Sequence, residues 1–502
     1  MRFTSLIVEL IRARPRLVVW LVVLLQAALW LIIPLLLYRS PPGDLATVLA
    51  YGREYQVGTA LGPPLAFWLA DIAFRVAGNH VFGVYLLAQL CSVAMFWTLF
   101  QLARAIVGGQ QAVLAVLLTM TIAAFSWPSL EFGPSVLARP LWALLLLHSW
   151  QLIGQNRRNV WFAWSIDAGL LLLTISAAPG LLLLVVGFAV ATARGRRTLM
   201  SFDPLFALLV IAVLMLPYLI WLIRADTLAL PQWPALAELS GRTLHWAALL
   251  GGLGLAICGI VLLTLLNSGF LSRNPEEAPI IYRPPVDPLA RKFVYFFAIG
   301  PALAGSLIAG VFNFEVVAGG VGVALLMSGL AAMVASGDLV QLRRQRLLRT
   351  VWGAAILAPA LATLAATIFL PWTGNGEVAT SLPAKAIANF FGDSFERRTN
   401  RPLKAVTGDA QLAALIALDT GRPHLFFASA PEKTPWINLA KFNETGGVVV
   451  WRASDTVGTP PPEIAQRFPG LVPEVPRAFE QLVTGRQPLL RIGWAIVRPK
   501  VP

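Results

Sequence analysis

The sequence predicts a polytopic α-helical membrane protein of about eleven transmembrane helices, with a small α/β domain outside the membrane. Three observations predict it. The 502 residues are 57% hydrophobic and only 13% charged, whereas a soluble chain carries about 25% charged residues. Apolar runs of roughly 20 residues, long enough to cross a bilayer, recur from residue 17 to residue 371. Beyond residue 373 those runs stop, and short alternating segments replace them. Mean hydropathy over the chain is +0.71.

The net charge of +14 does not point to nucleic acid. The arginines cluster in short gaps between apolar runs, as the positive-inside rule expects. Arg2, Arg12, Arg14 and Arg16 precede the first run and place the N-terminus in the cytoplasm. No small-residue cleavage site follows, so the first run is read as a retained helix. Later basic gaps lie at 155–159, 194–197, 272–292 and 343–349. All four fall on the cytoplasmic side if the spans lie near 17–38, 81–103, 110–127, 136–154, 160–176, 178–193, 203–223, 245–267, 293–312, 316–335 and 350–371. The C-terminus is then outside.

This gives two domains. Residues 1–372 form the transmembrane domain, with an external loop at 39–80, and residues 373–502 form the outer α/β domain. In that tail "LKAVTGD", "HLFFAS", "GVVVWRAS" and "RIGWAIVR" read as strands, and "AQLAALIALDT" and "PEIAQRF" as helices. Cys91 and Cys258 lie in apolar runs and read as buried small side chains. No zinc spacing, Walker motif, dinucleotide glycine pattern or nucleophile elbow occurs, so a nucleotide-driven pump is unsupported.

Loop 39–80 is the place for chemistry. "LATVLAYGREY" and "PLAFWLADIAFRVAG" have helical apolar spacing and read as two amphipathic surface helices, the second started by Pro63 and Pro64. Asp44 follows Pro41, Pro42 and Gly43 at the exit of the first span. A carboxylate there can take a proton from an attacking hydroxyl or hold a metal. It can equally N-cap the next helix. Arg53 and Glu54 are adjacent, so they point to different sides of a helix, either into solvent or toward a phosphate and a sugar. His80 reads as a cap at the loop's end.

Other candidates flank later turns. Glu131 and Arg139 stand in "PSLEFGPSVLARPLW", where the guanidinium suits a phosphate or snorkels to the interface. Glu315, Arg224 and Asp226 fall in outer segments. Asp167 lies within an apolar run and raises a functional question by itself, while His148 reads as a packing residue. In the tail, His424, Glu432 and Trp436 read as structural, and the triplet Asn443-Glu444-Thr445 carries no weight.

The order PPGD, GREYQVG, GPPLAFWL and a second span resembles the first external loop of the GT-C glycosyltransferases. The likeness is to bacterial family 39, relatives of protein mannosyltransferases and lipid A aminoarabinose transferases. Asp44, Gly52, Arg53, Glu54, Gly58, Pro63, Pro64, Leu65, Trp68 and Leu69 carry it. It implies transfer of a sugar from a polyprenyl-phosphate donor to a lipid, glycan or protein acceptor at the outer face of the bacterial inner membrane. It implies Asp44 as catalytic base or as the residue that orients the acceptor, and Arg53 and Glu54 as shapers of the sugar-phosphate site. Arg139 is assigned to the phosphate by position, with Glu131 beside it, and a divalent metal is allowed for. Three positions depart from the pattern. Leu45 stands where a second acid is frequent, Leu61-Gly62 replaces Lys-His, and Ala177-Ala178 lacks a basic residue. Two other readings remain: a catalytically silent protein of the same fold that binds lipid carriers or envelope partners, and a transporter or flippase.

Overall fold

The computed structural model describes residues 3–127, 130–224, 234, 236–268, 280–373, 379–418, 421–453, 455–480 and 489–500. Among them, six helices are long and apolar enough to cross a membrane: Pro15–Leu37, Phe82–Val107, Pro134–Ile153, Asp203–Arg224, Pro288–Phe312 and Gln345–Thr373. Two bent pairs raise the number to eight if each is one span. Ala178–Ala191 turns by 109° into Ala193–Leu199, and Gly241–Ala256 turns by 48° into Cys258–Asn267. The run expected as one straight span at 245–267 is therefore broken at Ile257. Shorter apolar helices occupy the remaining expected runs, at Gly109–Met120, Trp161–Leu172 and Val321–Ala335.

Local chemistry explains several boundaries. Gly108, at φ +80, separates Phe82–Val107 from the next helix. Asp287 accepts from the Leu289 amide, and Pro288 opens the helix that follows. The sharp elbow at 191–193 is held by Thr192, whose hydroxyl accepts from the Gly195 amide. Both cysteines are free; Cys91 is buried as expected, but Cys258 is exposed, on a helix with Leu262 and Leu265 also turned outward.

The chain divides into two compact units. One comprises residues 1–30, 88–129 and 134–360; the other comprises 31–87, 130–133 and 361–502. In the first, a two-stranded ribbon pairs β1 (Ile280–Tyr282) with β2 (Leu339–Gln341). Arg283 follows β1 with its side chain fully buried. It pairs with Asp338 at 3.0 Å and donates to the carbonyls of Met333 and Val334. β1 falls in the basic gap 272–292 and β2 just ahead of the gap 343–349, where no strand was expected.

The second unit holds a five-stranded sheet of β3 (Ala405–Gly408), β4 (His424–Phe426), β5 (Gly447–Arg452), β6 (Glu474–Phe479) and β7 (Leu490–Val497), in the order β4-β3-β5-β7-β6. β3 pairs in parallel with β4 and β5, and β7 antiparallel with β5 and β6. Trp451, Phe426, Phe442 and Val449 form its core. Four of the strands lie on the runs read from sequence. β6 does not, because "EVPRAF" carries a proline and two charges, which only an edge strand tolerates. Helix Ala384–Thr399 covers the sheet with Phe390 and Phe391 against Trp494 and Phe479.

The expected outer loop belongs to this second unit. Its helices are Leu45–Arg53 and Leu65–Val76, the latter entered through Pro64. They lie close because Gly52 lacks a side chain: a Cβ there would stand 2.3 Å from the Phe67 carbonyl oxygen.

Candidate functional site

The first candidate group surrounds Asp44. The Arg39 and Ser40 amides donate to the Thr380 carbonyl, which fixes the approach from the first span. Pro41 and Pro42 are buried, and Gly43 turns the chain at φ +52. Asp44 then occupies the N-cap position of Leu45–Arg53, and its carbonyl accepts from the Val48 amide. Its side chain makes no capping hydrogen bond and the residue is exposed. The carboxylate is thus not consumed by the helix.

Glu131 meets this turn. A Cβ added at Gly43 would lie 2.1 Å from the Glu131 carboxyl carbon, so the carboxyl rests directly on the glycine. Burial pushes the Glu131 pKa up, and the charge on Asp44 pushes it further. A second carboxyl group thus stands at the Asp44 turn, from a loop almost ninety residues onward.

Arg53 and Glu54 stand elsewhere. The nine residues of Leu45–Arg53 set them about 13 Å from Asp44. There they join a second group built on Asp71, which is fully buried. Arg75 Nε and Arg422 Nη2 each lie 2.6 Å from one of its oxygens. Neither contact is aligned as a hydrogen bond, so they act as close ion pairs. Glu54 Oε1 is 2.7 Å from His424 Nδ1. Burial lowers the Arg53 pKa; Glu54 opposes the shift, and Arg422 and Arg75 add to it. Tyr51 donates to the Lys433 carbonyl at 2.9 Å and meets Trp436 edge-on at 5.0 Å.

Sequence reasoning missed Asp71 and Arg422, and it read His424 and Trp436 as tail residues without bearing on the loop. The available signal for Asp71 was an acid on the apolar face of an amphipathic helix, four residues before Arg75.

Arg139 lies in the first unit. Its Nη1 donates to the Ala124 carbonyl at 3.2 Å, and the guanidinium sits 5.7 Å from the centre of the Phe125 ring. It borders a cavity of about 10 Å³, lined also by Gln26, Gln89, Ser92 and Phe96. Gln26 Nε2 donates to the Phe125 carbonyl at 2.7 Å. Gln26 Oε1, Gln89 Nε2 and Arg139 Nε are left buried without a partner. Such a space fits one water, which needs polar partners of this kind.

The remaining candidates separate. His148 Nδ1 is 2.5 Å from Asp167 Oδ2, so two residues flagged singly are one pair between adjacent helices. His80 Nδ1 accepts from the Phe82 amide at 3.1 Å, a helix-start role as expected. Glu315 is exposed. Asp226 lies outside the described residues. Among the described residues, no group of three His, Cys, Asp or Glu is placed to hold a metal ion.

Comparison with known proteins places this architecture. The family model for dolichyl-phosphate-mannose-protein mannosyltransferase matches residues 62–221. That stretch starts at the glycine before the double proline and leaves out Asp44. The structure of ArnT from Cupriavidus metallidurans bound to undecaprenyl phosphate superposes with a TM-score of 0.62 at 13% identity, over 95% of this chain and 98% of that one. The chain shares the ArnT-like GT-C fold. The apo ArnT structure shares the GT-C fold over the same extents, with a TM-score of 0.57 and 14% identity. No curated protein matches the sequence.

Proposed function

We propose that this protein is an integral-membrane glycosyltransferase that moves a sugar from a polyprenyl-phosphate carrier to a lipid, glycan or protein acceptor. The observation that carries the reading is the state of Asp44. Its carboxylate is exposed, unused as a helix cap and set beside a second carboxyl group.

Asp44 takes the proton from an acceptor hydroxyl as that oxygen bonds to the anomeric carbon of the sugar. The bond from that carbon to the carrier phosphate breaks on the opposite face, so configuration inverts. The phosphate leaves with the bonding electrons. Charge developing there needs a fixed cation, a role suited to the planar guanidinium of Arg139. Its place within an expected span supports this, because a charged group there marks function. Glu131 keeps negative charge near Asp44 adjustable, since its raised pKa lets it hold a proton more readily than an ordinary glutamate. Arg53 and Glu54 contact the sugar or the acceptor from the far end of the same helix.

The remaining details belong to the same reading. Eleven spans follow if the three shorter apolar helices and the two bent pairs join the six long ones. The N-terminus then lies in the cytoplasm and residues 373–502 outside, with transfer at the outer face of the inner membrane. The ArnT match, whose structure contains undecaprenyl phosphate, supports the carrier class. Mass analysis of envelope glycolipids and glycoproteins in a deletion strain tests the proposal. Loss of one sugar from one acceptor supports it, and an unchanged sugar inventory contradicts it.

A further inference from the structure

We propose that Arg422 and His424, at the start of β4, are positioning residues for the turn that carries Arg53 and Glu54. The inference rests on the transferase reading, in which that turn contacts substrate. It assigns the outer sheet a part in setting the site.

Asp71 is the hub. Its carboxylate is 0% exposed, and a buried carboxylate persists only when it is closely paired. Arg75 comes from the same helix, one turn on, but half of its side chain faces solvent. Arg422 is the buried partner, with 15% of its side chain exposed. It approaches from the β4 side and also stacks 4.9 Å from the Phe74 ring centre. The turn sits directly on this hub: a Cβ at Gly52 would lie 3.0 Å from the Asp71 Cβ. Tyr55, three residues on, places its ring 5.4 Å from the guanidinium of Arg75, the other partner of that carboxylate.

The backbone gives an independent sign. Arg422 is left-handed at φ +50, and Tyr55 is left-handed at φ +47. Neither is glycine, and such conformations persist where the surroundings over-determine them. Arg422 pairs with Asp71, and Tyr55 lies against Arg75, which pairs with the same carboxylate. His424 then holds the other side of the turn through Glu54, whose side chain is only 8% exposed. Two residues of one short strand and its approach, Arg422 and His424, thus grip two successive parts of the turn. An ordinary surface salt bridge would leave the turn free to move; this one fixes the direction of Arg53 and Glu54 from below and from the side.

The test uses the full chain in lipid nanodiscs, with wild type, Arg422→Met, Asp71→Asn, the double variant, His424→Ala and His424→Gln. Transfer from a polyprenyl-phosphate sugar gives kcat and KM, melting gives stability, and amide hydrogen exchange reads residues 52–56. A displacement of about 1 Å at a positioning contact costs on the order of 10²-fold in rate. Folded Arg422→Met is expected to lose that much in kcat, with faster exchange at 52–56. The double variant should be no slower than the worse single variant. His424→Gln, which keeps an N–H for Glu54, should retain more activity than His424→Ala. Unchanged exchange at 52–56, or a lowered melting temperature with kcat and KM intact, overturns the positioning role. Wild type that transfers no sugar overturns it together with the transferase reading, whereas active wild type with indifferent variants overturns it alone.

Discussion

Glu54 and His424 are 370 residues apart in the chain and 2.7 Å apart in the fold. The contact joins the loop that carries the family-like motif to the edge of the five-stranded sheet. With Asp71–Arg422 and Tyr51–Lys433 it makes loop and sheet parts of one compact unit. The Asp44–Glu131 group belongs to that unit too, at the opposite end of the helix Leu45–Arg53.

Gly43 is expected to tolerate no side chain. Gly43→Ala places a Cβ on the Glu131 carboxyl and forces alanine into φ +52, a strain of about 1 kcal/mol or more. Transfer should fall with only a modest loss in melting temperature. Retained activity would mean that the contact with Glu131 is dispensable.

Glu131 gives a signed pH dependence. Its pKa is raised in the fold, so the folded state favours its protonated form. That preference stabilises the fold below the ordinary carboxylate range and is lost as pH rises through the raised value. Glu131→Gln should therefore melt no lower than wild type at neutral pH, and any advantage should shrink on acidification. Melting curves at several pH values check this; a variant that is less stable at neutral pH than in acid, relative to wild type, contradicts it.

Arg283 is a structural centre of the first unit. Its buried side chain satisfies Met333 and Val334 carbonyls and pairs with Asp338. Arg283→Met should cost about 1–3 kcal/mol through the acceptors left unsatisfied. Detergent melting measures this. The fraction that remains folded should transfer sugar at the wild-type rate.

Much of the frame was legible because it depends on local rules. Apolar length locates the spans, Pro63-Pro64 starts a helix, and the four strands with uninterrupted β-branched or aromatic runs are visible. Asp44 was visible because the turn that frees it is written in three adjacent residues. The partners were not. Glu131 reaches Asp44 only because Gly43 leaves space for it. Asp71 sits in an apolar helix where a lone acid reads as surface, and its pairing with Arg422 depends on the return of the tail. β6 and the β1–β2 ribbon form where charge or proline hides the pattern, since their pairing comes from the neighbouring strand. The bend at Ile257 likewise left no proline to announce it.

The central claim is that Asp44 does chemistry. Wild type and Asp44→Asn, purified and reconstituted with a polyprenyl-phosphate sugar and an envelope-lipid acceptor extract, should fold alike, because the side chain makes no capping hydrogen bond. The account predicts sugar transfer by wild type and a loss of about 10²–10⁴-fold in the asparagine variant. Equal transfer by the two proteins would contradict it.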